Sequence, residues 1–194
     1  MRALISVSNK TGVVELADFL VRNAWQILST GGTAKAIRDA RIRVVDISEY
    51  TRFPEMMDGR LKTLHPLIHG GILGRLDVDQ EVMRENGILP INLVVVNFYP
   101  FEKTVENLDC DLDTAIENID IGGPTMVRAA GKNWRRVGVV VDPQDYPSVI
   151  EEIKQLGHLS EAFRFRLMKR AFRTSAMYER AIITYLSRLA AGSR

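Results

Sequence analysis

The sequence predicts an α/β fold: an open parallel β-sheet flanked by helices, with one long C-terminal helix. Short runs rich in Val and Ile recur at 3–7, 44–47, 93–96 and 137–141 without polar alternation, as strands buried on both faces require. Between them lie stretches with apolar residues at spacings of three and four. Strand and helix patterns therefore alternate, which favours parallel strands joined by right-handed helical crossovers.

Residues 3–7 open the sheet, and Val13, Leu16, Ala17 and Leu20 mark the buried stripe of the helix that follows. Residues 25–28 supply another strand, and the runs at 44–47, 93–96 and 137–141 complete the set. From Ser160 to about residue 190 the pattern turns wholly helical, with Ser160 as N-cap and Phe165, Met168 and Phe172 on one stripe. The basic residues of this helix, Arg164, Arg166, Lys169, Arg170 and Arg173, read as a solvated face.

The chain has 194 residues, a size that one domain with a sizeable core accommodates. Twenty-six basic against 24 acidic residues leave a net charge of +2, too little for a nucleic-acid or anionic-membrane footprint. Cys110 is the single cysteine, so no internal disulfide can form and a thiolate zinc site is disfavoured. No apolar run approaches the ~20 residues of a membrane span, and the expectation is a cytoplasmic protein.

In an open parallel sheet ligands bind beyond the carboxyl ends of the strands. Two segments there suit a phosphate: SVSNKTG at 6–12 and STGGT at 29–33, each leading into a helical pattern. Their glycines let successive N–H groups converge on one anion, hydroxyls add donors, the helix N-terminus adds its dipole, and Lys10 adds a charge. The plainer reading is that Gly31 and Gly32 turn the chain and that Ser8 or Thr33 caps a helix. Neither segment is a P-loop or a dinucleotide fingerprint.

GRLKTLHP at 59–66 sets Arg60 and Lys62 beside Thr63, in a stretch that suits an anionic or carbonyl partner. His65 and His69 have the spacing of a helical metal pair, but Pro66 lies between them and no third ligand is near, so no metal is expected. His65 reads instead as a loop-shaping residue held by backbone hydrogen bonds. Asn97 and Tyr99 leave the 93–96 run at its ligand end. IDIGGPTMVRAAGKN at 119–133 places Asp120 before a Gly-Gly turn and a helix ending near Lys132. For Asp120 a capping role and a chemical one stand side by side at this point, as do a solvent-facing and a functional Lys132.

Together, SVSNKTG, STGGT, FPEMMDGRLKTLHP, NFYPF and IDIGGPTMVRAAGKN, in this order and at these separations, resemble the inosine monophosphate cyclohydrolase domain of the bifunctional purine biosynthesis enzyme. The resemblance spans essentially the whole chain. It implies a methylglyoxal-synthase-like fold over 1–194, with the formyltransferase domain of that enzyme absent here, and a homodimer normally fused to that second domain. It also implies dehydrative closure of 5-formamidoimidazole-4-carboxamide ribotide to inosine monophosphate, the last step of de novo purine biosynthesis, without a cofactor.

Position by position, the resemblance assigns phosphate and ribose to Ser8, Asn9, Lys10, Thr30, Gly31, Gly32 and Thr33. It assigns the base and reacting groups to Arg60, Lys62, Thr63, Asn97, Tyr99, Asp120, Ile121, Gly122 and Lys132. Asp120 is then the expected base for the carboxamide proton, Lys62 and Tyr99 the donors toward the formyl oxygen, and Lys132 the charge near the carboxamide. Two positions depart from many relatives: Asn9 stands where they carry Asp, and Gly131 where they carry Ala. The same fold also serves as a nucleotide-sensing module of carbamoyl phosphate synthetase, a reading that GRLKT with NFY and IDIGG disfavours, and as methylglyoxal synthase, an elimination on a triose phosphate that stands as a third reading.

Overall fold

The computed structural model describes residues 1–107 and 110–192. Its sheet has five strands: β1 (Arg2–Val7), β2 (Gln26–Ser29), β3 (Val45–Asp46), β4 (Leu93–Asn97) and β5 (Gly138–Val140). They are all parallel, in the order β3-β2-β1-β4-β5. Each run read as a strand in the sequence forms one. The helices are α1 (Val13–Arg22), α2 (Gly31–Asp39), α3 (Ile47–Thr51), α4 (Pro66–Leu73), α5 (Gln80–Glu85), α6 (Phe101–Val105), α7 (Leu112–Glu117), α8 (Gly122–Lys132), α9 (Tyr146–Leu156) and α10 (Glu161–Gly192).

The absence of polar alternation in the strands follows from a core on each face of the sheet. Ala3 and Ile5 point with Ile27 and Val95 into a cluster with Val13, Leu16 and Leu20 of α1 and Val149 and Ile153 of α9. Leu4 points the other way with Leu28, Val94 and Val96, against Ile68 and Ile72 of α4 and Met126, Val127 and Ala130 of α8. A third cluster joins Phe101, Ala115, Tyr178 and Ile182, tying α6 and α7 to α10.

The long helix starts where expected: Ser160 Oγ accepts from Phe163 N at 3.2 Å, while its own N–H donates to Glu152 Oε2 at 2.8 Å. Its buried stripe differs from the one read in the sequence. Phe163, Leu167, Ala171, Ser175, Tyr178 and Ile182 face inward, whereas Phe165 and Phe172 are partly exposed. The displaced residues flank the stripe because α10 also lies along α8. Phe165 meets the Trp134 ring edge-on at 5.1 Å, and Phe172 packs on Gly131. The basic face is also less solvated than expected. Arg164 donates to Trp134 O and Leu159 O, and Arg170 pairs with Asp142 and Asp145.

What this topology does for function is local. From β1 the chain moves outward through β2 and β3 and then returns to add β4 and β5 on the other side, so a switch point lies between β1 and β4. The register puts Ile5 opposite both Ser29 and Val95, and Val7 opposite Asn97. The segments after β1, β2 and β4 therefore leave the sheet at one edge.

Candidate active site

The loop after β1 is anchored to β4. Asn97 Oδ1 accepts from Asn9 N at 2.8 Å and Asn97 Nδ2 donates to Asn9 O at 3.1 Å. Asn9 Oδ1 accepts from Thr11 N at 3.0 Å, a local turn that an aspartate would close equally well, which accounts for the departure at this position. Gly12, at φ +69°, then swings the chain into α1, and the Tyr146 ring packs 3.3 Å from where a Gly12 methyl would sit.

The loop after β2 is anchored to β1. Thr33 Oγ1 accepts from Val7 N at 3.0 Å and donates to Val7 O at 2.9 Å, and the hydroxyls of Ser6 and Thr30 lie 2.9 Å apart. These hydroxyls, expected as ligand donors, chiefly stitch strand ends together. Gly31, at φ +43°, opens α2; the N–H groups of Thr33 and Ala34 donate to Thr30 O at 3.1 and 3.0 Å, while those of Gly31 and Gly32 come before any carbonyl of the helix can reach them. Two ammonium groups lie above that turn: Lys10 Nζ is 3.7 Å from a methyl built on Gly32, and Lys62 Nζ is 3.6 Å from one built on Gly31. A helix N-terminus flanked by two cations suits an anion by dipole, donor geometry and charge together.

Lys62 arrives from a hairpin. Met56 and Leu61 form an antiparallel bridge around a 3-10 turn, Met57–Gly59, so Glu55 and Lys62 emerge side by side and their side chains meet at 2.7 Å. Arg60 is drawn to Glu117 of α7, with Nε donating to Oε1 at 3.0 Å and a second contact between Nη2 and Oε2. That hydrogen bond holds the Glu117 carboxyl below its ordinary range. Thr63 is only 6% exposed. His65 shapes the next turn as expected, its Nδ1 accepting from Leu67 N at 3.1 Å at the start of α4. His69 is half-buried, which lowers its pKa. Among the described residues no group of three His, Cys, Asp or Glu side chains could hold a metal ion.

Asp120 closes the opposite wall. Its Oδ1 accepts from Gly123 N at 2.8 Å, its Oδ2 lies 3.4 Å from Tyr99 N, and its own N–H donates to the phenol oxygen of Tyr178 at 2.8 Å. Asp120 therefore does cap α8, while one edge of its carboxylate stays in the pocket. The adjacent glycines serve close approach and not, as the sequence suggested, a turn. A methyl on Gly123 would lie 2.5 Å from Asp120 Oδ2, and one on Gly122 2.8 Å from Thr63 Oγ1. Burial raises the Tyr178 phenol pKa, which keeps it neutral beside the carboxylate.

These walls enclose a cleft of about 300 Å³. Of the residues singled out in the sequence, Ser8, Lys10, Thr30, Gly31, Gly32, Thr33, Arg60, Lys62, Thr63, Asn97, Tyr99 and Asp120 line it. Asn9 supports it from behind, Ile121 is 58% exposed, and Gly122 packs on Thr63. Lys132 is not brought in: it is exposed at the far end of α8, about 15 Å along the helix axis from Gly122. Ser6, Gly59, Gly123 and Met126 also line the cleft; they lie inside the motifs read in the sequence but were not assigned a site role there. Gly59 and Gly123 stood inside the motifs, yet only contacts reveal that they make room for carboxylates. Glu117 and Tyr178 were missed because their partners lie across the fold, and Glu55 because only the Met56–Leu61 bridge sets it beside Lys62. A larger hollow of about 770 Å³ between α6 and α10 shares Asn97 and Tyr99 with the cleft.

Known proteins share the sequence and the fold of this chain. Residues 12–125 match the family model described as MGS-like domain, and residues 130–193 the one described as AICARFT/IMPCHase bienzyme. The bifunctional purine biosynthesis protein PurH of Xanthomonas campestris pv. campestris (strain 8004) is 56% identical over 190 residues, covering 97% of this chain and 36% of that protein. Its counterpart in Xanthomonas euvesicatoria pv. vesicatoria (strain 85-10) is 55% identical over 193 residues, covering 99% and 37%. The chain thus spans little more than a third of the length of these curated relatives. The crystal structure of ForH superposes with a TM-score of 0.81 at 35% identity, covering 94% of this chain and 96% of that one.

Proposed function

From the premise that this chain belongs to the MGS-like domain family, we propose that it is an IMP cyclohydrolase, which closes 5-formamidoimidazole-4-carboxamide ribotide to inosine monophosphate with loss of water. The observation that carries the reading is one cleft holding both an anion site and a proton-transfer set. Lys10 and Lys62 lie over the first turn of α2, and Lys62, Tyr99 and Asp120 share the same walls. A module that only sensed a phosphate would need the first set alone. The match to the bienzyme family and the purine-biosynthesis relatives support the same assignment.

In this reading the α2 turn and Lys10 hold the ribotide phosphate, and the base extends toward Asp120 and Tyr99. The carboxamide nitrogen attacks the formyl carbon and the formyl oxygen leaves as water. That water's two hydrogens come from the carboxamide and formamido nitrogens. Asp120 takes the carboxamide proton through the carboxylate edge left open to the cleft, a role worth about 10²–10⁴-fold. Lys62 and Tyr99 donate to the formyl oxygen as charge gathers there, where one well-placed donor lowers the barrier by about 3–4 kcal/mol. Both reacting groups belong to one substrate, so holding them together supplies much of the remaining gain. No step calls for a cofactor.

The working form in this reading is a cytoplasmic homodimer, with 1–194 as one cyclohydrolase domain and formyl transfer left to the further length of the longer relatives. Lys132 can supply charge near the carboxamide only from a second copy, since in its own chain it stands a helix length from the cleft. The deciding experiment is a spectroscopic assay of purine-ring formation from the formylated ribotide by the pure chain. Ring closure that depends on protein concentration supports the reading. No closure, with elimination from a triose phosphate or nucleotide binding alone, overturns it.

A further inference from the structure

We propose that Glu55 is a positioning residue for Lys62: its carboxylate fixes the lysine ammonium at the wall of the cleft where the reacting oxygen must meet it. The inference rests on the ring-closure reading for what Lys62 does, but on geometry for how Lys62 is held.

An exposed lysine and glutamate that meet by chance fix nothing, because two long side chains in water lose as much freedom as the contact returns. Glu55 and Lys62 differ from such a pair in three ways. Their backbones are locked together first, by the Met56–Leu61 bridge, with Met56 N to Leu61 O at 3.2 Å and Leu61 N to Met56 O at 3.3 Å. The two side chains therefore start from neighbouring ends of a closed hairpin and meet at 2.7 Å without spanning a loop.

The hairpin also makes room for the contact. Gly59, at φ +89°, has no side chain, and a methyl built there would lie 2.6 Å from Glu55 Oε1, so the carboxylate occupies space that only glycine leaves open. Lastly, the ammonium group is bracketed on its other sides. Methyls built on Gly59 and on Gly31 would each lie 3.6 Å from Lys62 Nζ, and the Lys62 side chain is 27% exposed. The carboxylate thus closes a slot whose other walls are the hairpin turn and the first turn of α2. Remove its charge and Lys62 keeps its place in the sequence but loses the partner that selects one rotamer.

Displacing a reacting donor by about 1 Å can cost on the order of 100-fold in rate. Glu55→Gln, nearly isosteric but uncharged, should lower kcat about 10- to 100-fold while KM stays within about threefold, because Glu55 is not among the residues that line the cleft. Glu55→Asp, charged but shorter, should recover part of the loss. In a Lys62→Met background, Glu55→Gln should cost nothing further, which is the signature of a residue acting through another. A Glu55→Gln enzyme with the kcat of the wild type, or one whose loss is the same with and without Lys62, overturns the proposal.

A second readout keeps this separate from the function assigned above. Lys62 should react slowly with an amine-directed acylating reagent in the wild type and several-fold faster in Glu55→Gln, read by mass spectrometry of the peptide carrying it. If the wild type fails to close the ring, the functional reading alone falls. An acylation rate unchanged by Glu55→Gln overturns the pairing whatever the reaction proves to be.

Discussion

Replacing Asp120 with asparagine separates the capping contact of this carboxylate from the base role proposed for it. As a cap it accepts from Gly123 N at 2.8 Å, and asparagine ranks with aspartate as an N-cap, so that contact survives. What is lost is the interaction of a negative charge with the start of α8, about 0.3–1 kcal/mol, and the acceptor 3.4 Å from Tyr99 N, too long for a full hydrogen bond. The stability cost should come to about 1 kcal/mol, a fall in Tm of roughly 2–4 °C for a chain of this size. As a base, by contrast, asparagine is useless. The rate should fall by about 10²–10⁴, equivalent to roughly 2.7–5.4 kcal/mol of barrier. The two costs differ enough to be read apart. Steady-state ring closure should show kcat and kcat/KM falling together, while calorimetry finds inosine monophosphate bound nearly as tightly as by the wild type. An Asp120→Asn enzyme that keeps more than about a tenth of the wild-type kcat refutes the base assignment. So does a loss explained entirely by weaker binding.

Lys10→Ala should weaken inosine monophosphate about tenfold at low salt and less at high salt, and leave inosine unaffected; equal losses for nucleotide and nucleoside would remove Lys10 from the phosphate site. Gly131→Ala gains about 1 kcal/mol of helix propensity but sets a methyl 3.0 Å from the Phe172 ring, which is 38% exposed and can yield, so Tm should stay within a few degrees of wild type. A loss above about 2 kcal/mol would show that α10 cannot give way. Asp79, hydrogen-bonded by Arg75, has its pKa lowered to about 2 from 3.8. A depressed carboxyl stabilises the fold fully above its unfolded value and loses that contribution as pH falls through the folded one. Urea midpoints of wild type and Asp79→Asn should therefore differ at pH 7, converge as pH falls below about 4, and meet only below about pH 2. A gap independent of pH would refute the assignment.

The sheet was legible in the sequence because burial on both faces leaves an uninterrupted apolar run, a signal read locally at 3–7 or 93–96 without knowing any neighbour. The start of α10 was equally local, since Ser160 caps the turn it begins. The short helices α3, α5, α6 and α7 carried too few residues to establish a period. The candidate residues were visible as polar groups following apolar runs, and SVSNKTG and STGGT announced an anion site through their own composition.

What each of those residues does belonged to the tertiary structure. Thr33 looked like a ligand hydroxyl and is spent on Val7 of the neighbouring strand. Gly122 and Gly123 looked like a turn and are clearances for Thr63 and Asp120. Lys132 shared a motif with Asp120 and stands at the other end of the same helix, because a helix rises 1.5 Å per residue whatever the motif implies. The stripe of α10 shifted because two partners, the sheet and α8, bury different sides of it. By itself the sequence determined which segments are buried and which residues can do chemistry, since hydrophobicity and functional groups are properties of single side chains. Only the fold decided which of them meet, since distance between residues far apart in the chain is set by the packing of every element between them.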